Sequence, residues 1–73
     1  MTEWITVEHF ITVLQGNGFT VKEEDGWLIV SRESEVYPYR LRDDRKIPPK
    51  TFARFVYKYG IPIEEFVSPP FVR

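Results

Sequence analysis

Apolar residues recur at helical spacing near each end of this chain and at strand spacing between, and that arrangement limits the fold more than any other feature. Val7, Phe10, Ile11 and Leu14 stand at i, i+3, i+4 and i+7, as do Phe52, Phe55, Val56 and Tyr59. Each set draws one apolar stripe along a helix. The spacing predicts helices over about 7–15 and 50–59. Thr6 can cap the first by accepting from an otherwise unpaired amide, and Ile5 can staple its first turn. Gly16, Asn17 and Gly18 tolerate the backbone that ends it. Pro48-Pro49 leads into the second helix, and Gly60 and Pro62 stop it. Between the helices, Phe19–Lys22, Trp27–Ser31 and Val36–Leu41 alternate as strands do. Glu23-Glu24-Asp25-Gly26 reads as a hairpin turn, with Asp-Gly the strong signal. Arg32–Glu35 is the second turn. Pro38 cannot donate to a ladder, so the third strand belongs at an edge. Ile63–Phe66 can form a short final turn.

The order is therefore α-β-β-β-α, an α+β domain over residues 1–66, with an extended or flexible tail over 67–73. Consecutive strands this close favour an antiparallel meander, and two helices with one stripe each cover one face of it. The middle strand is apolar on both sides, with Trp27 and Ile29 on one and Leu28 and Val30 on the other. Either the uncovered face is a contact surface, or Trp27 or Leu28 packs against aromatics near the C-terminus, Phe66 and Phe71 among them.

Composition removes several function classes. The chain has 73 residues, no Cys and one His, so neither a thiolate nor a His-rich metal centre is available. Neither a secretory leader nor an apolar run long enough for a membrane span is expected, which points to the cytoplasm. The charge is uneven. Residues 1–35 hold two basic and seven acidic groups, and residues 36–58 hold seven basic and two acidic. A chain with net charge −1 can thus still present one basic face.

Three segments carry a family resemblance. Leu14-Gln15-Gly16-Asn17-Gly18-Phe19 ends the first helix, Ile47-Pro48-Pro49-Lys50-Thr51-Phe52 enters the last, and Tyr59-Gly60-Ile61-Pro62-Ile63-Glu64-Glu65-Phe66 closes the domain. In order and spacing the chain resembles the HicA-like toxins, mRNA interferases of toxin–antitoxin systems with a double-stranded-RNA-binding-like fold. The resemblance spans about residues 6–66. It implies RNA as a ligand and a dsRBD-like arrangement. It also exposes a departure. The family carries Gly-Ser-His at the start of its second strand, and that His is catalytic. Here the stretch is Asp25-Gly26-Trp27-Leu28, and neither Trp27 nor Leu28 can exchange a proton, as general acid–base catalysis requires.

No catalytic residue, metal ligand or cofactor site is therefore assigned. His9 falls in the first turn of the first helix, away from the family's His, and reads as a cap-region side chain. Glu23, Glu24 and Asp25 lack the spacing of a calcium loop and read as a solvated hairpin tip. Glu64 and Glu65 read the same way. The candidate nucleic-acid contacts are Lys50, Arg54 and Lys58, at i, i+4 and i+8 on the second helix, with Arg40, Arg42, Arg45 and Lys46 before it. Such a stripe can run along phosphates. Three functions compete: a non-catalytic HicA-like RNA binder, a module that binds a protein or itself through the sheet face or edge strand, and an interferase with a relocated active site using His9 or a Tyr and Arg pair.

Overall fold

A computed structural model describes residues 4–67. Its elements run β1 (Ile5–Thr6), α1 (Val7–Gly16), β2 (Thr20–Glu24), β3 (Trp27–Arg32), β4 (Glu35–Arg40), β5 (Lys46–Ile47), α2 (Pro49–Tyr59) and α3 (Ile63–Val67). The expected α+β architecture is present: β2, β3 and β4 form an antiparallel meander in that order, with the helices against one face.

Each boundary has a local cause. The Thr6 hydroxyl accepts from the His9 amide at 3.1 Å and caps α1. At its other end the Phe19 amide donates to the Leu14 carbonyl and the Gly18 amide to that of Gln15. That Schellman pairing needs a left-handed residue, and Gly18 supplies it at φ 90°. Glu24 pairs with Trp27, so the first hairpin loop is two residues, Asp25 and Gly26, at φ 51° and 81°. Two left-handed residues are what a type I′ turn requires. Strand β2 consequently runs two residues beyond the expected end, through Glu23 and Glu24.

Alternation sorts the sheet. Leu28 and Val30 are buried beneath the helices, with Val21, Tyr37 and Tyr39 on the same side. From α1 come Val7, Phe10, Val13 and Leu14, and from α2 Phe52 and Phe55. Phe19, Ile47, Ile61 and Phe66 complete the core. Aromatic rings occupy much of it: Phe66 stacks on Phe52 at 5.1 Å between centroids, and the edges of Phe10 and Phe19 meet Phe55 at 5.8 and 5.5 Å. Large rings suit so small a chain, because each removes much apolar area from water.

Two features add to the expected pattern. β1 and β5 form a two-residue ladder, Ile5 opposite Ile47 and Thr6 opposite Lys46. It ties the end of the charged loop to the start of α1, where the Val7 amide also donates to the Arg45 carbonyl at 3.2 Å. The final turn is a one-turn-and-a-half helix, α3, that takes in Val67, where the tail was expected to begin. Its Phe66 docks on the core against Phe10 and Phe52. Phe71 and the rest of 68–73 lie outside the described residues.

Candidate nucleic-acid interface

Helix α2 buries Phe52 and Phe55 and directs the opposite side outward. At 100° per residue, Lys50, Arg54 and Tyr57 fall within about 60° of one another on that outer side. All three are exposed, Tyr57 at 87%. Lys50 and Arg54 make no ion pair among the described residues, and α2 contains no acidic side chain.

Lys58 lies further round the helix and is engaged. Its ammonium sits 3.5 Å from Glu35 Oε2 and over the rings of Tyr37 and Tyr59, at 5.3 and 5.7 Å. The Tyr37 hydroxyl chiefly holds Lys58 above its ordinary value; burial opposes it, and the Glu35 carboxylate adds a lesser upward effect. The hydroxyls of Tyr37 and Tyr59 both donate to Glu35 Oε1 and contact each other. Those hydrogen bonds, Tyr59's first, pull Glu35 below the usual carboxylate range. Burial, then the bond to Glu35, pushes Tyr59 well above the usual phenol range. Arg32 completes the group, 5.2 Å from the ring centroids of both Phe19 and Tyr59. The cluster joins the start of β4 to the end of α2. All three shifts lead away from neutrality, the reverse of what a general acid or base needs.

The four cations of the preceding segment are dispersed. Arg45, at φ 52°, forks onto Glu23 with contacts of 2.8 and 3.3 Å, and that hydrogen bonding lowers the Glu23 pKa. The Lys46 amide donates to Asp44 Oδ1 and its side chain is exposed. Arg42 lies over the Trp4 ring at 5.1 Å. Arg40 leaves β4 on the face of the sheet away from the helices, over Trp27 at 5.4 Å. The seven candidate residues thus do not share one surface: Lys50 and Arg54 line the outside of α2, Lys58 and Arg45 are paired with acids, and Arg40 is across the sheet.

His9 does structural work. Its Nε2 donates to the Glu65 carbonyl at 2.9 Å, while Asn17 donates to the Val13 carbonyl and to Glu65 Oε1 at 2.8 and 3.0 Å. Both hold α3 against α1. Among the described residues, no group of three or more His, Asp or Glu side chains could hold a metal ion, and no helix is long and apolar enough to cross a membrane.

The Glu35–Tyr37–Tyr59–Lys58 cluster went unread in the sequence, because nothing local links positions more than twenty residues apart. The faint signal was that Tyr37 and Tyr59 each fell on the apolar face of its element. No family model, curated protein or solved structure matches the chain.

Proposed function

We propose that this chain is a non-catalytic, HicA-like RNA-binding domain that lays the outside of α2 along RNA phosphates. The observation that carries the reading is an outward helix face with Lys50 and Arg54 unengaged among the described residues, Tyr57 exposed one turn beyond Arg54, and no acid on the helix. Cations so placed gain affinity by releasing counterions from phosphates, without reading bases. Lys58 and Arg45 are paired with Glu35 and Glu23, so the reading rests on Lys50 and Arg54. The absence of chemistry follows from Trp27 and Leu28 standing at the family's His position and from the structural use of His9. On this reading the domain works in the cytoplasm, as a relative of toxin–antitoxin ribonucleases without their proton-transfer group.

The test titrates labelled double- and single-stranded RNA with the protein at low and moderate salt, and recovers the RNA afterwards. Intact RNA bound in a salt-sensitive way is expected. The double variant Lys50→Glu/Arg54→Glu should bind at least about tenfold more weakly, with a log–log salt slope shallower by about 1.5, since each phosphate contact contributes about 0.7–0.9. Absence of binding at low salt overturns the RNA reading, and cleaved RNA overturns the non-catalytic one.

A second reading, a protein-contact module, is favoured by the other side of the sheet. Trp27 and Val36 are 39% and 58% exposed there, which places apolar area on an uncovered face. Of its two edges, β4 is interrupted by Pro38 and β2 is charged at Lys22, Glu23 and Glu24, so the face offers the better contact.

A further inference from the structure

The uncovered face of the sheet is laid out in three cross-strand rows. One holds Glu24, Trp27 and Arg40, the next Lys22, Ile29 and Pro38, the third Thr20, Ser31 and Val36. The middle of the face is apolar, and charge stands at its flanks. The signs are arranged unevenly: in the first row the acid is on the β2 side and the Arg on the β4 side. With strands about 4.8 Å apart, the two leave the sheet roughly 10 Å from one another, with the indole of Trp27 between them. They do not pair within the chain.

We propose that this face docks against the same face of a second copy of the chain, about a two-fold axis parallel to β3. The proposal rests on reading the open face as a protein contact surface and names its occupant. Rotation about that axis exchanges left and right across the sheet but preserves position along the strands. The β2 flank of one copy then lies over the β4 flank of the other, row on the same row. Glu24 meets Arg40 of the second copy, twice by symmetry. Trp27 lies against its own counterpart, Ile29 does the same, and Val36 covers Thr20. An isologous contact requires such self-complementarity. A mixed-sign rim also suits a protein better than a phosphate backbone, which would meet Glu24 as a repulsive charge. A Trp on the middle strand and an Arg on the rim are of the residue types that most often carry binding energy. Three strands and five residues along each make a footprint of roughly 14 by 17 Å, about 240 Å² per copy and below the size of stable specific interfaces, so the dimer is weak, transient and concentration-dependent.

The experiment is sedimentation equilibrium of the full chain from micromolar to millimolar concentration, with circular dichroism confirming that each variant is folded. The mass is expected to rise from 8.7 kDa toward twice that value. Glu24→Arg or Arg40→Glu alone sets like charges together at two places and should lower the association constant at least about tenfold. The double swap Glu24→Arg/Arg40→Glu restores the pairing and should return it to within a few-fold of wild type. In a Trp4→Phe background, where Trp27 is the one remaining tryptophan, emission should shift to the blue as concentration rises. A chain that stays monomeric throughout overturns the second copy as the occupant. A dimer indifferent to both charge reversals and to Trp27→Ser overturns the open face as its contact surface. Single reversals that weaken association without rescue by the swap overturn the two-fold arrangement. Lys50 and Arg54 lie on the helix side, so the fate of RNA binding is read separately.

Discussion

Replacing Phe66 by Ala tests whether α3 is a structural part of this domain. The ring is 1% exposed, stacked on Phe52 at 5.1 Å and tilted against Phe10 at 6.0 Å. Burying a Phe removes about 150 Å² or more from water, which at about 25 cal/mol per Å² is worth close to 4 kcal/mol. Ala recovers a small part of that, and the vacated space and lost ring contacts add to the loss, so a cost of about 3–5 kcal/mol is expected. A chain of this length has a total stability of about 4–11 kcal/mol, so the variant loses about a quarter of it at least. The assay is urea unfolding followed by circular dichroism and tryptophan emission. With a slope near 1 kcal/mol per molar urea, the midpoint should fall by about 3 M, or the variant should be unfolded in water. Phe66→Leu, which keeps most of the volume, should cost under about 1.5–2 kcal/mol and stay folded. A loss below about 1 kcal/mol for the Ala variant would refute the reasoning, because α3 would then not be docked against Phe52 and Phe10.

Other expectations concern single side chains. Glu35 has a folded pKa below its ordinary value, so its contribution is present above the usual carboxylate range and is lost as pH falls through the lowered value. Wild type should exceed Glu35→Gln in stability at neutral pH, with the gap closing on acidification, as urea midpoints along a pH series would show; a gap that stays constant contradicts the clamp. Gly18→Ala should cost about 1–2 kcal/mol through backbone strain alone, since φ is 90° and an added methyl meets nothing within 4 Å. Gly16→Ala, two residues earlier at the end of the helix, should be neutral or stabilising by up to about 1 kcal/mol, and thermal melts of the pair would separate the two positions.

Local chemistry made most of the fold legible. The two stripes fixed the helices to within a residue or two, because a 3.6-residue period leaves few ways to bury Val7, Phe10 and Leu14, or Phe52 and Phe55, together. Asp25-Gly26 located the first hairpin because two adjacent left-handed residues are costly for most other pairs. Alternation placed Leu28 and Val30 opposite Trp27 and Ile29, though not which pair would be covered. The β1–β5 ladder escaped notice, since two residues are too few to show a period and Ile5 meets Ile47 from 42 positions away.

What the sequence determined by itself is therefore the two main helices, the three strands of the meander, their order and the charge along α2, all of which follow from neighbours within a turn or a strand. Tertiary structure alone decided which cations are engaged. Arg45 and Lys58 look equivalent to Lys50 and Arg54 in a linear reading, yet folding brings Glu23 and Glu35 to the first two and leaves the others facing water. It likewise assigned His9 to the Glu65 carbonyl and set Glu24 and Arg40 in one row on either side of Trp27. The physical reason is common to all of these: charge pairing and cross-strand register depend on distances between residues far apart in the chain, which no local periodicity encodes.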